Sequence, residues 1–113
     1  MRPVGKLIII GGAVNKGSFA ETDYDQNIEK NLNFFERGIL RKIITESKHK
    51  EDSVIEVITT ASQIPQIVGT EYKKAFEFLG AKNVNILDIH NRDEANSDAI
   101  VARANAADVV MFT

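Results

Sequence analysis

The sequence predicts an open α/β fold, in which helices cover both faces of a parallel sheet. Four short apolar runs rich in β-branched residues recur along the chain. They are nearly continuous rather than alternating, which is typical of strands that are buried on both faces. Segments with helical periodicity separate the runs, and right-handed crossovers between parallel strands then place helices against the sheet.

The predicted strands are Lys6–Ile10, Val54–Thr59, Val84–Ile89 and Val109–Thr113. We expect all four to be parallel, with the first beside the second and the last on the far side of the third. An apolar run at the end of the chain requires a covering helix and usually a further strand. The 113 residues are therefore interpreted as the N-terminal part of a single α/β domain, truncated after its fourth strand.

Three segments between the strands have the periodicity of amphipathic helices. The first apolar stripe consists of Phe35, Ile39, Leu40, Ile43 and Ile44, and the second of Val68, Tyr72, Ala75, Phe76 and Leu79. Gly80 follows the second stripe, at a position where a left-handed residue commonly ends a helix. Ser97 or Asn96 is expected to cap the third helix.

The composition is that of a folded, soluble protein, with 43% hydrophobic and 27% charged residues. No apolar run approaches the ~20 residues that cross a bilayer, and the short first run lacks a cleavage signature. Because the chain has no cysteine, disulfides and thiolate metal sites are excluded. Basic residues are scattered and the net charge is −2, so neither nucleic acid nor a membrane is expected as a partner. The predicted location is cytoplasmic.

The segment Gly11–Ser18 follows the first predicted strand, where a phosphate-binding loop would lie. The residues after Gly17 are not the Lys-Ser/Thr pair of a P-loop, and Ala13 stands in place of the second glycine of a dinucleotide-binding loop. The glycines at its start have a simpler role, which is to let the chain leave the strand with unusual backbone angles. Binding of a nucleotide or another anion here remains an alternative hypothesis.

A Ser-His-Asp triad could be drawn from Ser62 or Ser18, His90 and Asp88 or Asp93. Neither serine lies in a GxSxG-type turn. We therefore interpret His90 as a polar residue at a strand end and Ser62 as a turn or cap residue. The acidic residues around His90 lack the spacing of a metal site, and neither a metal nor a cofactor is expected.

Four segments, in order along nearly the whole chain, resemble the cyanophycinases. They are Lys6–Lys16 (KLIIIGGAVNK), Thr59–Pro65 (TTASQIP), Tyr72–Ile89 (with its Tyr, Phe, Leu-Gly and VNILDI elements) and Ala107–Thr113. The first is similar to the family's opening strand with its Gly-Gly-Ala and Lys, and the last to the strand that leads into Thr-Gly-Gly-Asp-Gln. Val14 and Asn15 depart from the Glu-Asp that often precedes the Lys, so no charge-based role is assigned to that loop.

The resemblance implies a serine-type exopeptidase that hydrolyses cyanophycin, multi-L-arginyl-poly-L-aspartate, to β-Asp-Arg dipeptides. It also implies a flavodoxin-like fold similar to that of class I glutamine amidotransferases, and cyanophycin or a β-aspartyl peptide as the substrate. In the family, the nucleophilic serine, its histidine and the oxyanion loop follow the strand at which this chain ends. No catalytic residue is therefore assigned within it. The residues expected to line the same cleft are Gly11, Gly12, Asn15, Lys16, Ser62 and Gln63.

Two further expectations concern partners. A third hypothesis is that the chain belongs to a non-catalytic protein with the same fold, which serves in interactions. Val109–Phe112 is an apolar strand without a partner on one side, which is a recognised site for pairing with another chain. We expect self-association, either as a homo-oligomer or with a missing half, and no hydrolysis by these 113 residues alone.

Overall fold

The computed structural model describes residues 5–10 and 38–113. Residues 38–113 contain a parallel sheet with helices on both faces. The predicted α/β class is confirmed. The strands are β1 (Val54–Ile58), β2 (Asn83–Leu87) and β3 (Val109–Phe112). The helices are α1 (Ile39–Glu46), α2 (Pro65–Phe78), α3 (Arg92–Ala95) and α4 (Asp98–Ala106), with a 3₁₀ turn at Lys50–Asp52.

The strands pair in the order β2-β1-β3, and both pairings are parallel. Ile55 lies opposite Val84 and Val109, and Val57 lies opposite Ile86 and Met111. Because side chains alternate along a strand, these residues share one face of the sheet, here called the core face. The neighbouring residues Glu56, Leu87, Val110 and Phe112 share the other, here called the outer face.

Helices α1 and α2 cover the core face. Leu40, Ile44 and Phe76 are fully buried in one apolar cluster with the core-face residues of the strands. Gly69 brings α2 close to β2, since a Cβ atom at that position would lie 2.9 Å from Cδ1 of Ile86. Arg41 joins the two helices, because its guanidinium donates to the Leu79 carbonyl at the end of α2 over 2.8 Å.

Helix α4 packs on the outer face through an ion pair with β1. Glu56 is only 3% exposed, and its carboxylate accepts a 2.9 Å hydrogen bond from the Arg103 guanidinium. Arg103 also donates to the Ile86 carbonyl over 3.3 Å, so it links α4 to both β1 and β2. On this face of β3, Val110 and Phe112 are 39% and 75% exposed.

The predicted strand order is wrong, because β3 pairs with β1 rather than lying beyond β2. The reason is the handedness of the crossovers. The β1–α2–β2 connection runs over the core face, whereas the β2–α4–β3 connection runs over the outer face. Two right-handed crossovers on opposite faces place their next strands in opposite directions across the sheet. The second connection therefore places β3 on the side of β1 away from β2.

The first predicted strand does not join the ladder, and its predicted pairing with Val54–Thr59 is wrong. Both edges of β1 are occupied, by β2 and β3. Residues 6–10, called the 6–10 segment below, have no assigned strand. Its first residue, Lys6, forms an ion pair with Glu46 at the end of α1, and Ile10 packs against the apolar core. Leu7 and Ile9 between them are each 87% exposed.

The predicted helix ends are largely confirmed. Gly80 has a φ of +100°, so it is the left-handed residue that follows α2. Ser97 is the N-cap of α4, and its hydroxyl accepts from the Ile100 N–H. Helix α3 was not predicted, although Asn91 and Glu94 have the spacing of a capping box. The Asn91 side chain accepts from the Glu94 N–H over 2.8 Å.

Candidate cleft at the carboxyl edge of the sheet

The carboxyl ends of the three strands lie at one edge of the sheet, where open α/β folds bind ligands. The strand order reverses direction at β1, so the crevice between the ends of β1 and β3 is the expected ligand site. Thr113 lies at this point, because its N–H donates to the Ile58 carbonyl over 3.1 Å. The turn that follows β1 begins at Thr59, the residue after Ile58.

Ser62 lies in that turn, and its hydroxyl has a structural role. The Ser62 N–H donates to the Thr59 carbonyl, and the Ser62 Oγ accepts from the Ile64 N–H over 3.1 Å. These bonds set the turn from β1 into α2, as expected of a serine at a helix start. Gln63 beside it is exposed. Both residues are therefore at the predicted edge, and Ser62 behaves as the turn residue that the sequence indicated.

Asp88 and His90 form a pair at the end of β2. The His90 Nε2 lies 2.9 Å from Asp88 Oδ2, and both side chains are exposed. The His90 N–H donates to Glu94 Oε2 over 2.8 Å, which fixes the start of α3. Thr60 donates from its hydroxyl to the Ile89 carbonyl over 3.0 Å, so the turns after β1 and β2 are held together. Residues two apart on an extended chain share a face, so the alternation of the strand could have predicted the Asp–His contact.

A small pocket of about 270 Å³ lies between the ends of β1 and β2 and the start of α2. It is lined by Thr59, Pro65, Gln66, Thr70, Ile86 and Asp88. The Thr59 hydroxyl is buried and has no hydrogen-bond partner within the described part of the chain. The N-cap residue of α2, Ile64, makes no side-chain hydrogen bond to the start of the helix, which borders this pocket at Pro65 and Gln66.

A second acidic–histidine pair lies at the opposite, amino edge of the sheet. Asp108 Oδ1 lies 3.1 Å from His49 Nδ1, and Asp108 Oδ2 accepts from the Val54 N–H over 2.9 Å. The Val54 hydrogen bond, together with the one to His49, lowers the pKa of the Asp108 carboxyl. This pair ties the start of β3 to the start of β1 and is remote from the expected cleft.

A larger groove, of about 780 Å³, runs along β3 rather than across the carboxyl edge. The 6–10 segment forms one wall and Val109–Phe112 the other, and Ile43 and Glu46 of α1 close one side. Glu46 is flanked by Lys6 and Lys42, whose hydrogen bonds lower the pKa of its carboxyl to about 2. The groove is thus lined by apolar side chains of β3 and the 6–10 segment together with charged side chains, among them Lys6, Glu46 and Asp108.

Four of the predicted cleft residues, Gly11, Gly12, Asn15 and Lys16, lie outside the described residues, as do Ser18 and Phe35. Their place in the cleft, and the anion-binding alternative, therefore stay predictions. Among residues 5–10 and 38–113, no group of three or more His, Asp or Glu side chains is arranged to hold a metal ion. Within the same ranges, no helix has the length and apolarity needed to span a membrane.

The described serines do not form a catalytic pair with a described histidine. The Ser53 hydroxyl donates to Ser47 Oγ, and the Ser47 hydroxyl donates to the Ile44 carbonyl. Ser97 caps α4 and Ser62 orders the turn after β1. The two histidine rings contact Asp108 and Asp88 instead. Within the described residues, the geometry thus offers structural serines and no activated one.

Comparison with known proteins gives one group of relatives. Cyanophycinases from Nostoc sp. and Trichormus variabilis are each 39% identical to this chain over 59 residues. The match covers 52% of this chain and 20% of each relative. No family model and no solved structure matches the chain. The chain is therefore related in sequence to cyanophycinases over about half its length, which corresponds to a fifth of those proteins.

Proposed function

We propose that this chain is the N-terminal part of the α/β hydrolytic domain of a cyanophycinase-like serine-type exopeptidase. Its substrate would be cyanophycin or another β-aspartyl peptide, released as β-Asp-Arg dipeptides. The observation that carries the proposal is the 39% identity to two cyanophycinases. The parallel α/β sheet supports it, because such a sheet provides a ligand crevice at its carboxyl edge.

In this proposal the chain supplies the scaffold and one side of the crevice. The turn at Ser62 and Gln63 and the end of β3 at Thr113 lie at the edge where the substrate would bind. A serine peptidase also needs a serine within hydrogen-bond reach of a base, and backbone donors for the oxyanion. Following the resemblance to the cyanophycinases, we assign the nucleophile to residues beyond Thr113. The use of the described serines in turns, caps and buried hydrogen bonds supports this assignment. A cytoplasmic location belongs to the same proposal.

The test uses the complete natural product of the gene and the 113-residue chain side by side. Each is incubated with cyanophycin, and release of β-Asp-Arg is measured by chromatography with mass detection. The complete protein is expected to release the dipeptide. The 113-residue chain is expected to be inactive, because loss of both the nucleophile and the oxyanion donors removes nearly all rate enhancement.

Labelling with a serine-reactive fluorophosphonate locates the nucleophile. We expect one labelled serine in the complete protein, outside the first 113 residues, and a Ser62→Ala variant that is labelled as well as the wild type. Labelling of Ser62, or dipeptide release by the 113-residue chain, would overturn the assignment of the chemistry. A complete protein that neither releases the dipeptide nor reacts with the label would favour a non-catalytic relative.

A further inference from the structure

The small pocket at the carboxyl edge of the sheet, between the ends of β1 and β2, combines one carboxylate with neutral polar groups. Its volume of about 270 Å³ lies just below the ~300 Å³ at which pockets for whole small molecules begin. The pocket therefore suits one functional group rather than an entire ligand. Asp88 supplies the carboxylate, and the polar neighbours in the lining are Thr59, Gln66 and Thr70.

The Thr59 side chain points to a ligand in this pocket. The residue is only 1% exposed, and its hydroxyl has no hydrogen-bond partner within residues 5–10 and 38–113. Leaving a buried hydroxyl unpaired is unfavourable, so folded proteins pair almost all such groups. The Thr70 hydroxyl, on α2, donates to the Gln66 carbonyl over 2.8 Å, and its oxygen keeps lone pairs that can accept. The pocket thus holds hydroxyl oxygens available to a hydrogen-bond donor.

Asp88 decides the charge that the pocket favours. Its Oδ2 atom lies 2.9 Å from His90 Nε2, and no lysine or arginine in the described part of the chain forms an ion pair with it. A carboxylate has about four acceptor positions, so the contact with His90 leaves room for a further donor. The Asp88 side chain is 44% exposed, which lets a ligand reach it from solvent. A cationic donor is therefore favoured over an anion.

We propose that this pocket binds a guanidinium group, with Asp88 as the counter-ion and the Thr59 hydroxyl as a further acceptor. A guanidinium is planar, carries five donors and is more weakly hydrated than an ammonium. Its face can therefore lie against apolar Pro65 and Ile86 while its edge reaches the oxygens.

A divalent cation fits the pocket less well. Hard cations require several oxygen ligands, usually with more than one carboxylate. Among the described residues, no group of three His, Asp or Glu side chains is arranged to hold a metal ion. In the peptidase proposed above, the guanidinium would be that of an arginine in the substrate. This source rests on the proposed function, whereas the affinity of the pocket for the group does not.

Binding of methylguanidinium to the complete gene product tests the proposal directly. In two-dimensional NMR spectra, the Thr59 and Thr70 amides should shift to saturation on titration, whereas the Ala104 amide on α4 should not. Asp88→Asn should raise the dissociation constant at least about tenfold, because it removes the counter-ion and keeps the shape of the side chain. Asp93→Asn is the matched control, since Asp93 is exposed in α3 and does not line the pocket. It should leave the dissociation constant unchanged.

A second variant and a second cation make the test specific. Thr59→Val lacks the hydroxyl and should raise the dissociation constant at least about threefold. Methylammonium has the same charge without the planar fork, so it should bind the wild type at least about tenfold more weakly. Equal binding of the two cations, or an affinity that neither substitution lowers, would overturn the proposal. Amide shifts that leave Thr59 and Thr70 unaffected would do so as well.

Release of β-Asp-Arg from cyanophycin separates this inference from the proposed function. In a complete protein that hydrolyses cyanophycin, Asp88→Asn should raise KM at least about tenfold and leave kcat nearly unchanged, because the pocket binds a group that does not react. Hydrolysis with an unchanged KM would leave the proposed function standing and overturn the placement of the substrate arginine in this pocket. Methylguanidinium binding that depends on Asp88, in a protein without hydrolysis, would support the pocket and count against the proposed function.

Discussion

At the scale of single residues, Thr59 and Thr60 at the end of β1 differ in how their hydroxyl groups are satisfied. Thr60 donates to the Ile89 carbonyl, whereas the buried Thr59 hydroxyl has no partner in the described part of the chain. Thr59→Val removes an unsatisfied group and should leave the free energy of unfolding unchanged or raise it by up to ~1 kcal/mol. Thr60→Val, the matched control, should lower it by ~0.5 kcal/mol.

Urea unfolding followed by circular dichroism measures both changes. A loss of more than about 1 kcal/mol in Thr59→Val would show that the hydroxyl has a partner after all. Since this hydroxyl borders the small pocket near Asp88, such a partner would also identify a group that enters the candidate cleft.

Asp108 should make the stability of the fold fall in acid. Its folded-state pKa is lowered, chiefly by the hydrogen bond from the Val54 N–H and also by His49. A carboxyl whose pKa is depressed on folding contributes stability above its unfolded pKa of about 3.9, and this is lost as the pH falls through the folded value. We expect the urea concentration at the midpoint of unfolding of the wild type to decrease as the pH is lowered below about 4.

Asp108→Asn keeps an oxygen that can accept from Val54 but has no charge to lose, so its urea midpoint should fall less over the same range. Glu46, whose pKa is about 2, acts in the same direction, so Glu46→Gln measures its separate contribution. If Asp108→Asn shows the full acid dependence of the wild type, the carboxylate does not stabilise the junction of β1 and β3.

Among the secondary-structure elements, the contact of α2 with β2 depends on Gly69. A Cβ atom there would lie 2.9 Å from Cδ1 and 3.2 Å from Cγ1 and Cγ2 of Ile86. Gly69→Ala gains helix propensity but requires α2 or Ile86 to move, and Gly69→Val requires more. We expect Gly69→Val to lower the free energy of unfolding by about 2 kcal/mol.

A double-mutant cycle with Ile86→Val tests the cause. The smaller side chain should recover part of the loss, so the two changes should couple by at least about 0.5 kcal/mol. Lys74→Val is a control for the β-branched side chain, because Lys74 is exposed on the same helix. Strict additivity of Gly69→Val and Ile86→Val would mean that the steric contact with Ile86 is not the cause.

The elements themselves were largely predictable, because their signals are local. The apolar runs located β1, β2 and β3 to within two residues at either end, and Gly80 and Ser97 marked helix ends. The order of the strands was not predictable from the runs, because it depends on which face each helix covers. The outer-face position of α4 rests on the contact of Glu56 with Arg103, 47 positions apart, which no local pattern reports.

The same distinction applies to the candidate cleft. A position after a strand predicts a place at the carboxyl edge, and Ser62 and Gln63 lie there. What each side chain does there depends on its neighbours. The Ser62 hydroxyl bonds within its own turn, and Asp88 pairs with His90. Sequence spacing alone could not distinguish these structural roles from catalytic roles.

For the whole molecule, the strand order also sets the order in which the sheet assembles. Val54 pairs with Asn83, whereas Ile55 pairs with Val109, about twice as far along the chain. Each doubling of loop length adds ~0.6 kcal/mol to the entropy cost of closure, and the β1–α2–β2 unit already contains most of the core. That unit should therefore form in the folding transition state, with β3 joining after it.

Folding kinetics of the monomeric chain test this order, through two buried core-face residues. Val84→Ala in β2 should slow folding, whereas Met111→Ala in β3 should leave the folding rate within about twofold and speed unfolding instead. Equal slowing by both would mean that β3 is part of the nucleus. If β3 joins last, it is also the strand that separates most easily from the folded sheet, so a chain under mild stress would lose this edge while the β1–α2–β2 unit persists.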